Sequence, residues 1–203
     1  MFETLRADIR QARKVHLVDP DWFSQNVRVL LQRTTLPVIA FRFECWARKF
    51  KWPLVRTLVR SVAVLFRRWA GNRCGVIISP KARIAPGFSI HTPWGIFVGG
   101  VTIGMNCIIQ TGVLIHCEVK RVGDNVYFGP GSKAIGGVSI GSNVTVGANS
   151  LVVTDVPDNS TVFGVPARIR LPRMHLPKVY FGKALVSKTA GNGELALPRK
   201  RQG

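Results

Sequence analysis

An apolar residue recurs at six-residue intervals through the centre of the chain, and few folds tolerate that period. The positions are Ile78, Ile84, Ile90 and Ile96, then after one extra residue Ile103, Ile109 and Ile115, and after another Val122, Phe128, Ala134, Ile140, Val146 and Val152. Eleven of the thirteen are Ile or Val, the types that suit short extended segments. Five of them (Ile103, Val122, Phe128, Ile140 and Val146) are followed directly by Gly. A following Gly supplies the positive φ that a tight corner needs.

Six residues make one short strand and one turn, which alone buries almost nothing. Three such units close a triangular coil, and stacked coils pair their backbone groups with each other while the periodic side chains fill the prism. The count predicts about four coils. The fourth residue after each inward position is mostly small or apolar (Ala82, Phe88, Trp94, Gly100, Cys107, Val113, for example), which predicts a second inward row. The expected fold is mainly β, a parallel β-helix over residues 76–168.

The flanks differ from this core in charge. Of the formal net charge of +19, residues 1–75 carry +10, residues 76–168 only +2 and residues 169–203 +7. Basic character therefore belongs to the ends, where it meets solvent or an anionic partner such as membrane lipid, polysaccharide, nucleic acid or a phosphorylated cofactor. Residues 1–14 lack the apolar run of a secretory signal, and no stretch approaches a membrane-spanning length. Cys45, Cys74, Cys107 and Cys117 show neither CxxC spacing nor clustered His, so reduced thiols in a cytoplasmic protein and no metal site are expected.

From Pro20 to Trp69 apolar residues recur at helical spacing, as in Val27, Leu30 and Leu31 or Leu54, Leu58, Val62 and Leu65. This predicts two or three amphipathic helices forming a cap on the first coil within residues 1–75. Arginines and lysines alternate there with Phe41, Phe43, Trp46, Phe50, Trp52 and Phe66, a mixture also suited to peripheral contact with a membrane surface. Residues 169–203, rich in Pro, Gly and basic groups, are expected to form a flexible tail. Nucleic-acid binding is not expected, since no recognition motif accompanies the charge.

Chemistry is expected just outside the inward positions, where Gly, Ala and Ser give way to His91, Gln110 and His116. With three hexads per coil, His91 and Gln110 occupy equivalent places on successive coils and His116 lies on the next face. The two histidines then meet only across a three-fold axis between subunits. Either one is a candidate general base, able to take a proton from a hydroxyl as its oxygen attacks a thioester. Glu118 and Asp124 are the acidic residues nearest in sequence that would orient His116.

The stretches ISPKARIAPGFSIHTPWGIFVG from Ile78, IGSNVTVGANSLVVTDVP from Ile140 and VFGVPARI from Val162 resemble the hexapeptide-repeat acyltransferases, most closely the serine acetyltransferase group and its exopolysaccharide relatives. The resemblance implies a left-handed coil, a homotrimer, acetyl-CoA as donor and an alcohol as acceptor. It also implies coenzyme A contacts at Gly131, Ser132, Lys133, Ala148, Asn149 and Arg168. Ungapped matching sets His91 at the group's active-site Asp and Thr92 at its His, and a shortened loop offers His116 in place of its second histidine. The chain closes on Gln202 and Gly203 where the serine enzymes carry an apolar residue.

These departures favour O-acetylation of a sugar in an exopolysaccharide or capsule precursor, at the inner face of the membrane. Serine O-acetylation is the alternative, and a non-catalytic β-helix scaffold a second one. A zinc enzyme on the same coil needs three gathered histidines, and only His91 and His116 fall within the repeat.

Overall fold

A computed structural model describes residues 2–16, 32–48 and 53–170. Three helices, α1 (Phe2–His16), α2 (Leu36–Ala47) and α3 (Pro53–Cys74), precede fifteen short strands. The expectations for Val27, Leu30, Leu31, Phe50, Trp52 and the tail beyond 170 lie outside the described residues.

The strands build a left-handed parallel β-helix. One face stacks β1 (Val76–Ile78), β4 (Ile96–Val98), β7 (Leu114–Ile115), β10 (Lys133–Ala134) and β13 (Leu151–Val152). The second stacks β2 (Arg83–Ile84), β5 (Thr102–Ile103), β8 (Arg121–Val122) and β11 (Ser139–Ile140). The third stacks β3 (Ser89–Ile90), β6 (Ile108–Ile109), β9 (Tyr127–Phe128), β12 (Thr145–Val146) and β14 (Thr161–Phe163), and β15 (Arg168–Arg170) closes it antiparallel to β14.

Five strands on one face give about five coils, not four. The hexad count stopped at Val152, whereas Val156 still bridges to Ile140 and Val162 pairs with Val146. The ladder side chains Ile90, Ile109, Phe128 and Val146 are buried in one continuous column, as are Ile84, Ile103, Val122 and Ile140.

Register corrects the ladder at one point. Val98, not Ile96, is the partner of Ile78, and Ile96 pairs with Val76. Two residues are thus inserted between Ile90 and Val98, and one is lost before Ile103. The insertion pushes Trp94 out of the inward row; it is 50% exposed and Gly100 is exposed too, while Val101 is buried in its stead.

The glycines that follow ladder residues have a different purpose from the one expected. Gly104, Gly123, Gly129, Gly141 and Gly147 are absent from the positive-φ positions. They are small because the next coil lies against them: a Cβ on Gly123 would stand 2.6 Å from the Gly141 carbonyl carbon and the Ser142 nitrogen. Among the described residues, left-handed backbone is supplied by seven glycines elsewhere in the coil and by five asparagines, whose short polar side chain tolerates it. Asn106, Asn125, Asn143 and Asn159 (φ 54 to 57°) stack on one corner, each Nδ2 donating to the Oδ1 above at 3.3, 3.1 and 2.9 Å.

The helices cover the open end of the first coil, whose carbonyls have no coil beneath them. Arg42 donates to the Ala85 carbonyl at 2.7 Å and to that of Ile84, Arg48 to that of Pro80 at 2.6 Å, and Arg67 to that of Ile78 at 3.3 Å. Buried Asp8 holds Arg42 (2.8 Å) and accepts the amides of Gly87 (2.8 Å) and Phe88 (3.0 Å), fastening α1 to β3. Its burial raises its carboxyl pKa, an effect that Arg42 and the two amides oppose.

Two outcomes follow from this packing. Gly123→Ala is expected to cost about 1–3 kcal/mol in urea unfolding through overpacking, against less than about 0.5 kcal/mol for Gly137→Ala, whose Cβ would meet only the Lys120 side chain. Equal costs would show that coil spacing does not select glycine. The second concerns Cys107, whose thiol donates to the Gly123 carbonyl at 3.2 Å and is pushed up to about 11 by burial. Its raised native pKa means stability is intact below the unfolded-state value and declines as pH rises through about 9 to 11, by at most roughly 2–3 kcal/mol. Cys107→Ala should flatten that part of the stability–pH curve; an unchanged slope would refute the assignment.

Candidate functional site

The insertion before Val98 lengthens one corner of the prism, between the third and first faces, and polar side chains collect there. His91 and Gln110 follow the ladder residues Ile90 and Ile109, and their amides donate to Ile109 and Phe128 at 2.9 and 3.2 Å. They are therefore equivalent positions of successive coils, as the hexad count required. Beside them the longer loop carries Thr92 and Trp94.

A hydrogen-bond relay runs up this corner. His91 Nδ1 lies 3.1 Å from Thr92 Oγ1, the Thr92 hydroxyl donates to Gln110 Oε1 at 3.2 Å, and Gln110 Nε2 donates to the Tyr127 hydroxyl at 3.1 Å. Gln110 is buried to 8% exposure, so its amide is held in place. Because the single Thr92 proton is committed to Gln110, Thr92 Oγ1 can only accept from His91. Nδ1 then carries the imidazole proton, and Nε2 is the basic nitrogen. With Gln110 Oε1 toward Thr92, the neutral ring has the tautomer suited to proton abstraction.

Trp94 bounds the loop with φ at 86°, an unusual conformation for a bulky residue. Its carbonyl accepts both the Thr111 hydroxyl (2.9 Å) and the Gly112 amide (2.9 Å), which pins the strained residue to the coil above. Backbone outliers of this kind cluster at functional sites.

Along the same corner, Gly95, Gly112, Gly131 and Asn149 succeed one another in left-handed conformation. Ala148 and Asn149 are exposed, and the Asn149 amide donates to Pro130 at 2.8 Å. Ser132 is buried and spends its hydroxyl on the Gly129 carbonyl at 2.7 Å, so it shapes the turn. Lys133 projects from β10 on the first face, and Arg168 is exposed on β15, paired in register with Phe163. Gly131, Ser132, Ala148 and Asn149 therefore share an edge with His91, and Lys133 lies one step around it.

His116 stands apart. It follows Ile115 at the opposite end of the first face, with its amide bonded to Ala134 at 2.9 Å. Its Nδ1 is 3.5 Å from Glu118 Oε2 and 3.8 Å from the exposed Cys117 sulfur. Of the two acids considered, Glu118 is the neighbour; Asp124 instead accepts the Met105 amide at 2.6 Å. Within one chain the structure brings His91 together with Gln110 but not with His116.

Of the relay residues, Thr92 entered the sequence reading only as the residue matched to the group's active-site His, and Tyr127 not at all. Tyr127 sits at an outward strand position that the hexad leaves free to vary.

Comparison with known proteins accords with the fold. Residues 120–154 match the family model described as bacterial transferase hexapeptide (six repeats). The serine acetyltransferase of Synechococcus elongatus is 32% identical over 179 residues, covering 83% of this chain and 68% of that protein. The chain belongs to the hexapeptide-repeat acyltransferases, in the serine acetyltransferase group. The Neisseria gonorrhoeae serine acetyltransferase in complex with serine superposes with a TM-score of 0.65 at 29% identity, over 82% of this chain and 68% of the other. A serine acetyltransferase complex with CoA gives 0.66 at 27% identity, over 83% and 68%.

For this acyltransferase the relay makes a definite prediction. Thr92→Val keeps the shape but removes the oxygen that accepts Nδ1–H, and is expected to lower the acyl-transfer rate about tenfold, the worth of one lost hydrogen bond. The loss should fall in kcat with KM little changed and the unfolding midpoint preserved. A wild-type kcat would show that Thr92 does not orient His91.

Proposed function

We propose that this enzyme is an acetyl-CoA-dependent O-acetyltransferase with His91 as general base and L-serine as the acceptor. The observation that carries the reading is the shared corner: the histidine with a fixed Nδ1–H tautomer and the residues matched to coenzyme A contacts lie along one edge of the coil. The serine enzymes among its relatives, one of them in complex with serine, favour this acceptor over the polysaccharide sugar expected from the sequence.

Acetyl-CoA would lie along the upper part of the edge, where the left-handed positions Gly112 and Gly131 leave the surface without side chains. Asn149 and Ala148 would border its pantetheine, with Lys133 and Arg168 placed for its phosphates. His91 Nε2 takes the proton of the serine hydroxyl as that oxygen attacks the thioester carbonyl. The C–S bond then breaks, and the thiolate leaves with the proton returned by the imidazolium. No covalent acetyl-enzyme is required.

His116 would join the site from a neighbouring subunit of a homotrimer, since it stands on a different corner of its own chain. Glu118 would hold its Nδ1 side in that arrangement. The relay keeps the base ready, and the second histidine orients the acceptor.

The test is thiol release from acetyl-CoA with L-serine, glucosamine or an oligosaccharide as acceptor. Turnover is expected with serine, with a loss of about 10²–10⁴-fold in His91→Ala. Turnover restricted to a sugar would return the reading to polysaccharide acetylation. Coenzyme A binding without turnover on any of these would favour a silent scaffold, and a normal rate in the double replacement His91→Ala and His116→Ala would overturn the catalytic assignment.

A further inference from the structure

The cap helices carry more arginine than the coil end consumes. Arg42, Arg48 and Arg67 donate to first-coil carbonyls, and Arg48 and Arg67 also pair with Glu44. Arg56, Arg60, Arg68 and Arg73 of α3 have no such carbonyl partner, and α3 contains no acidic residue.

The same helix exposes an apolar stripe. Val55, Leu58, Val62, Leu65 and Trp69 recur in alternating steps of three and four residues, so they share one face, and they are 43–69% exposed. Its opposite face, with Ala63, Ala70 and Cys74, is buried toward the rest of the protein. Trp69 stacks on Phe66 at 6.0 Å and lies under Arg73, which puts an amphipathic ring at the edge of the stripe. Five large apolar side chains in one row are more than the scattered surface leucines of an ordinary soluble face.

Next to α3, Arg48, Arg56, Arg60, Pro80 and Lys81 line a recess of about 470 Å³ with no acidic side chain in its wall. Its chemistry suits a phosphate headgroup, and the neighbouring stripe suits acyl chains. Charge decides between the conceivable occupants. A second copy of α3 would set arginine against arginine, and residues 169–203 carry 8 basic groups and 1 acidic one, so both are repelled. No helix among the described residues is long and apolar enough to cross a membrane, which leaves contact in the plane of the interface.

We propose that the outward face of α3 docks this enzyme on an anionic lipid bilayer, with Leu58, Leu65 and Trp69 entering the acyl boundary and the Arg56–Arg60–Lys81 recess receiving lipid phosphate. The docking side chains are distinct from those of the His91 corner, which α3 reaches at its final residue, where the Cys74 carbonyl accepts the Trp94 amide at 3.1 Å, so docking and catalysis are separable. Activity on soluble serine is expected to be the same for the docking variants and the parent chain.

The test is flotation of the purified full chain with vesicles of phosphatidylcholine alone or with about one-third phosphatidylglycerol. The chain is expected to float with the anionic vesicles, to stay behind with phosphatidylcholine, and to be released in part at about 0.5 M salt. Leu58→Ser with Leu65→Ser and Trp69→Ser, and separately Arg56→Gln with Arg60→Gln, should each lower the partition coefficient by about tenfold or more. Circular dichroism and the unfolding midpoint verify that each variant folds; should the triple change unfold the cap, the arginine pair tests the proposal alone. Absence of flotation, equal binding to neutral vesicles, or a fall in solution mass of the triple variant, which would assign the stripe to a second copy, overturns it.

Discussion

The hydrogen bond from one coil to the next is the interaction on which everything else here depends. Strands of two or three residues have no stability of their own; each survives because its amides and carbonyls are met by the coils above and below. That ladder imposes the close approach that excludes a Cβ at Gly104, Gly123 and Gly141, and the tight corners that asparagine then fills and links. It also leaves an unmet edge at each end.

Much of the charge pattern is explained by that edge. At the start, arginines from α2 and α3 donate to carbonyls that no coil would otherwise satisfy, with Asp8 and Glu44 as their counter-charges. At the other end β15 turns back antiparallel and covers β14. A basic cap is thus a structural necessity in part, while Arg56, Arg60, Arg68 and Arg73 of α3 are not used in that way.

The candidate site arises where the repeat is broken. Two additional residues before Val98 create a loop wide enough for Thr92 and Trp94, and this loop stands at the corner bearing His91. A perfectly regular prism would have presented glycine and small turn residues there. The regular part supplies rigidity: the Gln110 amide is bonded to the Phe128 carbonyl of the next coil, so the Thr92–Gln110 contact beside His91 is held by the scaffold.

Most of the fold was legible in the sequence, because a six-residue period has one efficient way of burying its apolar row. The ladder from Ile103 onward, the equivalence of His91 with Gln110 and the separation of His116 all follow from counting. The counting failed at Ile96, since Val98 is equally apolar and the sequence alone does not say which of the two faces Ile78. Nor does it distinguish a glycine needed for φ from one needed for clearance; only the distance to the next coil does.

The sequence by itself thus determined the architecture, the helical cap and the corner on which His91 stands, through local periodicity that each hexad carries within it. Tertiary structure alone decided the relay through Thr92, Gln110 and Tyr127, the choice of Glu118 over Asp124, and the division of arginines between coil end and open surface. Most of these depend on contacts between residues 11 to 43 positions apart or on which side of a helix is covered, and no local pattern encodes either.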